Sequence, residues 1–175
     1  MLKRKILISV ILIILGVVTR ILPHPFNFAP LAGIALFSGV YLGAVYAVAI
    51  PVGSMFAGDV VLGFYELPIM ISVYASYALI GLIGLLIKKH KSVEIVLGSS
   101  LLSSFLFFFF TNGAVWFFGT WYDHNLQGLT DAFILALPFF RNTVVGDLFY
   151  TSILFGSLET VRFLFRNRKL SKAIS

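Results

Sequence analysis

Long apolar runs separated by short polar segments constrain the fold of this chain more than any other feature. Hydrophobic residues make up 59% of its 175 residues and charged residues only 11%, and the mean hydropathy is +1.01. A soluble domain carries about 25% charged residues, and its helices show one polar face. The composition therefore predicts an all-α integral membrane protein, multi-pass in the inner (cytoplasmic) membrane of the cell, with a single transmembrane domain over 1–175.

The positions of proline, glycine and polar residues predict where the crossings begin and end. Because one crossing takes about 20 apolar residues, the chain has room for about six or seven. The apolar run 29–62 is too long for one crossing and is divided at Gly39–Gly43, whereas the segment 129–140 is too short for a full crossing. The six predicted transmembrane helices cover residues 6–22, 29–40, 43–62, 68–87, 93–118 and 142–165, and a half-helix precedes the last one at 129–140.

Basic residues cluster at three predicted helix ends and predict the orientation of the chain. With six crossings, all three clusters fall on one side of the membrane, and an excess of lysine and arginine marks the cytoplasmic side. Both termini are therefore predicted to be cytoplasmic, and the net charge of +6 does not indicate a nucleic-acid partner. The clusters are Lys3, Arg4 and Lys5, then Lys88, Lys89 and Lys91, and finally Arg162, Arg166, Arg168, Lys169 and Lys172.

The segment 20–30 is a polar interruption between two apolar runs. Its three prolines exclude a continuous helix, so we expect an extended loop of fixed shape. The predicted orientation places this loop on the outer side. We interpret it as a lid over an external cavity, with His24 and Asn27 pointing inward and Arg141 with Asn142 approaching from the opposite wall.

Other polar residues in the predicted helices could also contact a ligand. Asn112 and Trp116 lie one turn apart on one helix face, where an amide can hydrogen-bond and an indole can stack on a flat polar molecule. The alternative is that Asn112 joins two helices and that Trp116 belongs to the interfacial aromatic belt. Arg141 sits at the joint between the half-helix and the last helix, and such joints occur where they line a cavity.

Two carboxylates, Asp59 and Asp147, fall inside predicted helices. Ionisable groups within a membrane face the protein interior or water, and many of them pair with one another. A structural ion pair with Arg20 or Arg141, or a hydrogen bond between helices, is therefore as good an interpretation of each aspartate as a ligand contact.

The sequence shows no pattern typical of a catalytic or metal site. The chain has no cysteine, which excludes disulfides, iron–sulfur clusters and thiol chemistry. His24, Asp123, His124 and Glu66 on the predicted outer side do not have the spacing of metal ligands. We therefore expect no catalytic residue, no bound metal and no cofactor, and an enzyme is the weaker class of function.

Small residues recur at intervals of four between the predicted second and third helices. They are Ala35, Gly39, Gly43 and Ala47. Small residues at this interval allow two membrane helices to approach closely, so we interpret them as a packing surface.

Several of these segments resemble known membrane proteins. The succession Ala29–Tyr46, continued at Gly58–Gly63, resembles a region of the substrate-binding S components of energy-coupling-factor vitamin transporters, and Leu137–Thr143 is similar to the segment that opens their last helix. The pattern Arg20–Phe28, together with Phe139–Thr143, resembles a bacterial family of small membrane proteins of unknown function over most of the chain. The first helix departs from the S components because it lacks their Ala-x-x-x-Ala docking surface.

The resemblance to S components implies a function and a site. It implies uptake of a small water-soluble nutrient, a vitamin or a cofactor precursor, and a corrinoid would find a cobalt ligand in His24 or His124. The cavity would be lined by helices four to six and gated by the first loop. During transport the whole bundle would tip in the lipid bilayer, driven by ATPases through a membrane coupling subunit. The residues expected to contact the ligand are His24, Asn27, Asn112, Trp116, Tyr122, Arg141 and Asn142.

Two other classes of function fit the same sequence. The first is a membrane assembly or scaffold protein whose polar loops bind a partner and which transports nothing. The second, less well supported, is a membrane enzyme that acts on a lipid, and it would need Asp and His side chains clustered around one cavity.

Overall fold

The computed structural model describes residues 2–174, with side chains over 2–166. The basic side chains of Arg168, Lys169 and Lys172, which belong to the predicted C-terminal cluster, lie outside this described part. All regular elements of the described chain are α-helices. They are α1 (Leu2–Ile21), α2 (Leu31–Tyr41), α3 (Ala44–Leu62), α4 (Leu67–Ile87), α5 (Val93–Phe118), α6 (Leu126–Ile134) and α7 (Leu137–Ile174).

Four of these helices are long and apolar enough to cross a membrane. They are α3, α4, α5 and the part Leu137–Arg166 of α7. The 20 residues of α1 would also be long enough, but this helix carries four basic residues, Lys3, Arg4, Lys5 and Arg20. The four apolar helices indicate a membrane protein, as the composition predicts.

The short helix α2 is the centre of the bundle. All ten residues of Leu31–Val40 are buried, and α2 packs against α1, α3, α4, α5 and α7. With 11 residues it is about 17 Å long, whereas the hydrocarbon core of a membrane is about 30 Å thick. This helix corresponds to the short second helix predicted over 29–40. The proline-rich loop takes the chain into the bundle before the helix begins, so α2 fills only part of the depth.

Glycines let α2, α3 and α4 pack backbone against backbone. A Cβ atom on Gly84 of α4 would collide with the carbonyl oxygen of Leu36 in α2, and one on Gly39 would collide with that of Gly81. A Cβ on Gly81 would in turn collide with the carbonyl oxygen of Ala47 in α3. Two of the four small residues in the predicted packing surface, Gly39 and Ala47, therefore lie at close helix contacts.

The remaining turns decide where α3 and α7 begin. Gly43 precedes α3 with φ +111°, a left-handed value that suits glycine, so this residue makes the turn after α2. At the other end of the chain, α6 ends at Ile134 and α7 begins at Leu137. Proline is tolerated in the first turn of a helix, so Pro138 starts α7 and does not end the preceding helix. Consequently Arg141 lies inside α7, and the break comes before it.

Candidate functional site

A cavity of about 480 Å³ lies at the N-terminal end of α2. Its wall is formed by the loop between α1 and α2, by the first residues of α2, and by residues of α1, α3, α4, α5 and α7. Six of the seven helices and this loop thus meet around one space at the start of the central helix. The lining residues with polar side chains are Arg20, His24, Asn27, Tyr77, Thr143 and Asp147.

Aromatic contacts fasten the loop between α1 and α2 to α7. The ring of Phe28 lies 5.8 Å from that of Phe149 and 5.5 Å from that of Tyr150, centroid to centroid. The ring of Phe26 meets that of Phe139 edge to face at 5.9 Å. The loop therefore has a defined position over the cavity, as its prolines predict.

His24 and Asn27 are exposed on this loop and line the cavity. The imidazole Nδ1 of His24 lies 2.6 Å from the carbonyl oxygen of Leu22. Asn27 has φ +61°, a left-handed value that asparagine tolerates better than most residues, and the N–H of Phe28 donates to the carbonyl oxygen of Pro25 at 3.0 Å. Asn27 is thus the turn residue of the loop as well as part of the wall.

Arg20 of α1 and Asp59 of α3 form a buried ion pair beside the cavity. Arg20 Nη2 lies 2.5 Å from Asp59 Oδ1, and Arg20 Nη1 donates to the carbonyl oxygen of Met55 at 2.8 Å. The hydroxyl of Tyr74 in α4 donates to Asp59 Oδ2 at 2.6 Å. This is the predicted structural pairing of Arg20 with an aspartate, and it joins three helices. Gly58 makes room for it, since a Cβ there would collide with the guanidinium.

The Asp59 carboxylate also affects the loop between α3 and α4. Burial, and after it the negative charge of Asp59, raise the pKa of Tyr65 to about 12. The hydroxyl of Tyr65 therefore stays neutral at physiological pH. It can donate a hydrogen bond on this side of the bundle but carries no charge.

Asp147 of α7 is paired differently from Asp59. Its side chain is 3% exposed and lines the cavity, and its Oδ2 accepts a hydrogen bond of 2.6 Å from Ser104 of α5. Among residues 2–166, no arginine, lysine or histidine forms a salt bridge with it. Of the two structural interpretations of Asp147, the structure has the hydrogen bond between helices and not the ion pair with Arg20 or Arg141. Arg20 is held by Asp59, and Arg141 is exposed.

A row of buried serines runs along α5, and two of them contact α7. This row is not predicted from the sequence, although intervals of one and three residues place the four serines on a single helix face. Beyond the Asp147 contact, Ser100 Oγ lies 3.2 Å from Thr151 Oγ1 of α7. Thr151 in turn lines a smaller groove of about 220 Å³. The row consists of Ser99, Ser100, Ser103 and Ser104.

The other residues expected to contact the ligand do not line this cavity. The Asn112 amide donates to the carbonyl oxygen of Phe108 within α5 at 2.7 Å, and the Trp116 indole N–H donates to that of Asp123 at 3.1 Å. The N–H donors of both side chains thus bind backbone carbonyl oxygens of the protein itself. Tyr122 and Asn142 are half-buried elsewhere and Arg141 is exposed. The structure therefore brings together His24 and Asn27, but not the remaining five residues of the predicted set.

Several lining residues are not predicted from the sequence, among them Tyr77 of α4, Phe107 of α5 and Thr143 of α7. Thr143 and Asp147 are four residues apart, and this spacing places them on one helix face. The sequence could therefore have indicated that Thr143 lies on the same side of the helix as Asp147. For Tyr77 and Phe107 no such signal exists, because one aromatic residue among many in apolar helices does not reveal which face is turned inward.

The cavity wall carries ionisable, polar and aromatic groups. They are the carboxylate of Asp147, the guanidinium of Arg20, the imidazole of His24, hydroxyl and amide groups, and aromatic rings. Among the described residues, no group of three or more His, Asp or Glu side chains is placed to hold a metal ion. His124 contacts the loop after α5, where its Nε2 lies 3.3 Å from the carbonyl oxygen of Gly119, and it does not line the cavity.

Comparison with known proteins gives a family match. The profile of a family described as a family of unknown function, DUF6580, matches residues 1–170. Neither the curated proteins nor the solved structures contain a match to the chain.

Proposed function

The chain belongs to the DUF6580 family, and from its cavity we propose that it is a substrate-binding membrane subunit for the uptake of a small water-soluble nutrient. The nutrient is a vitamin or a cofactor precursor. The observation that carries this proposal is the cavity at the N-terminal end of α2, where polar side chains line a space within an otherwise apolar bundle. Ligand cavities in proteins measure about 300–1,000 Å³, and polar groups inside a membrane are costly unless they serve pairing or function.

The proposal includes six crossings with both termini in the cytoplasm. It is supported by basic residues from three parts of the chain that gather at the C-terminal end of α2. Lys5 donates to the carbonyl oxygen of Leu42 at 2.7 Å, and Lys91 and Arg162 lie over the ring of Tyr41, at 4.6 Å and 4.7 Å from its centroid. An excess of positive charge at one end of the bundle favours the cytoplasmic side for that end. The cavity, at the other end of α2, then faces outward.

In this proposal, transport energy comes from a partner. The sequence resemblance to the S components of energy-coupling-factor transporters supports a membrane coupling subunit with ATPases. The docking surface must differ from theirs, because the buried small residues of α1, Ser9 and Gly16, are turned toward the bundle, and Gly16 contacts Ser54 of α3. The protein binds its ligand from the outer side, and the partner drives release.

A thermal-shift screen tests the proposal. The purified protein is heated with each member of a panel of vitamins and their precursors, and we expect at least one compound to raise the melting temperature. Thr143→Val and Asn27→Gly, which remove polar groups from the cavity wall, should reduce that rise. Asn112→Ala and Arg141→Ala serve as matched controls outside the cavity and should preserve it.

Two results would contradict the proposal. One is a panel in which no compound changes the melting temperature, and it would favour the scaffold class if the protein still retained a partner in pull-down. The other is a ligand whose stabilisation is lost in the two control variants but kept in the two cavity variants, since that ligand would bind elsewhere.

A further inference from the structure

Resting on the proposed function, we propose that the ligand carries a positively charged nitrogen on an apolar or aromatic body, and that Asp147 is its counter-ion. The ligand class is thus an organic ammonium, amidinium or quaternary nitrogen compound. The proposal concerns which nutrients the cavity selects.

The charges around the cavity lead to this class. Arg20 contributes one positive charge, and the buried Asp59, 1% exposed, cancels it at 2.5 Å. Both terminal nitrogens of Arg20 are already engaged, one with Asp59 and one with the carbonyl oxygen of Met55. The charge of this arginine is therefore already matched within the protein, which makes it a weaker attractor for an anionic ligand than an unpaired arginine would be. The carboxylate of Asp147 is left as the uncompensated charge among the described lining residues.

Asp147 has too few partners of its own to be stable as a buried anion. Among the described residues, a single hydrogen bond from Ser104 supports the carboxylate. An ionised carboxyl group inside apolar surroundings requires a counter-charge or several hydrogen bonds. A cationic group in the cavity would provide that counter-charge.

The aromatic residues of the wall suit the same kind of ligand. Tyr77 of α4 and Phe107 of α5 line the cavity with their ring centroids 5.0 Å apart, and Phe26 of the loop adds a third ring. Faces of aromatic rings attract cations, and the attraction is larger where water is excluded. The wall therefore combines aromatic surface from α4 and α5 with a carboxylate from α7.

The positive end of the α2 dipole favours an anionic ligand, but its effect is weaker than that of Asp147. Leu31 and Ala32 line the cavity, and no side chain caps this helix end. The end of a helix dipole is equivalent to about half a positive charge, whereas the Asp147 carboxylate carries a full negative one when it is ionised. The balance of the wall thus favours a cation.

The test compares probes that share a ring system and differ in charge. Tryptamine, tryptophol and indole-3-acetate are positive, neutral and negative at pH 8, where a histidine side chain is ordinarily neutral. Thermal shift and equilibrium binding are measured for these three and for the vitamin panel, sorted by charge. We expect tryptamine to stabilise the protein more than the other two probes, and the panel compounds that bind to be cations.

A variant pair connects the selectivity to Asp147. Asp147→Asn should weaken cation binding by at least about tenfold, the effect of losing one charge-assisted contact. Asp131→Asn, in α6 and outside the cavity, should leave affinity unchanged. The charge preference of the unaltered protein needs no variant, so the test stands even if Asp147→Asn folds poorly.

The outcomes separate this inference from the function on which it rests. If panel compounds bind but are neutral or anionic, or if cation affinity stays within about twofold in Asp147→Asn, the inference is overturned and the proposed function stands. If no compound of any charge binds, the proposed function itself is overturned, and the inference with it.

Discussion

At the scale of single residues, two aspartates in the bundle have opposite environments. Asp59 accepts hydrogen bonds from Arg20 and Tyr74, and its charge is matched. Asp147 accepts one from Ser104. That an arginine between apolar runs would pair with an aspartate could be predicted, because ionisable groups inside a membrane seek partners. Which of the two aspartates it pairs with could not, since this depends on α1 lying beside α3.

The buried ion pair predicts a large loss of stability when one partner is removed. Asp59→Asn leaves the Arg20 charge buried without its counter-ion, which costs on the order of 3 kcal/mol. The matched control is Glu159→Gln, since Glu159 pairs with Arg162 at a site where both side chains are about half exposed and such pairs contribute little. Thermal unfolding in detergent should show a clearly lower melting temperature for Asp59→Asn alone. Equal shifts for the two variants would contradict the structure.

The backbone of Asn27 predicts an unusual order of two substitutions. Asn27→Ala places a Cβ-bearing residue without a compensating amide at φ +61°, and this should cost about 1 kcal/mol. Asn27→Gly removes the same side chain but adopts this conformation without strain. The glycine variant should therefore unfold at the higher temperature of the two, and the reverse order would show that the loop has another conformation.

At the scale of elements, α2 and α4 pack closely because glycines at their contact leave room for the two backbones to approach. Gly39 of the sequence-predicted packing surface is at this contact, but its partners Gly81 and Gly84 could not be identified in the sequence. Small residues indicate a close contact, yet the helix that fills it is decided by tertiary packing. For the same reason the central position of α2 could not be predicted.

The close contact predicts that a single methyl group on α4 is destabilising. Gly84→Ala would force its Cβ against the backbone of Leu36, which cannot move aside as a flexible side chain could, and we expect a loss of roughly 1–3 kcal/mol. Gly98→Ala in α5 is the control, because a Cβ there meets nothing within 4 Å. In the control, the helix preference of alanine should leave stability unchanged or raise it by up to about 1 kcal/mol. Urea-induced or thermal unfolding of both variants provides the comparison.

At the scale of the whole molecule, composition and the long apolar runs predicted an all-helical membrane protein. The described elements are all helices, and four of them are long and apolar enough to cross a membrane. The candidate site was predictable only in part. His24 and Asn27 stood out as polar groups in a proline-rich loop, whereas the wall opposite them comes from helix faces that no local pattern identifies. The predicted contribution of Asn112 and Trp116 was based on spacing within one helix, and both groups bind backbone nearby.

The proposed topology predicts which loops a reagent can reach from outside. The chain has no cysteine, so single cysteines can be introduced without background. Asp123→Cys, in the exposed loop between α5 and α6, should react with a membrane-impermeant maleimide in intact cells. His90→Cys, in the exposed loop between α4 and α5, should react only after the membrane is permeabilised. The opposite labelling pattern would invert the proposed orientation, and labelling of both loops in intact cells would contradict six crossings.

The shortness of α2 has a consequence for the size of what the cavity can hold. The first turn of this helix forms part of the cavity wall, so the depth of the space depends on where the helix begins. Each helical turn added to or removed from that end would change the depth by about 5 Å. Family members with a longer or shorter α2 should therefore differ in the length of the molecules they accept. The position at which the loop gives way to the helix would set the maximum length of the ligand.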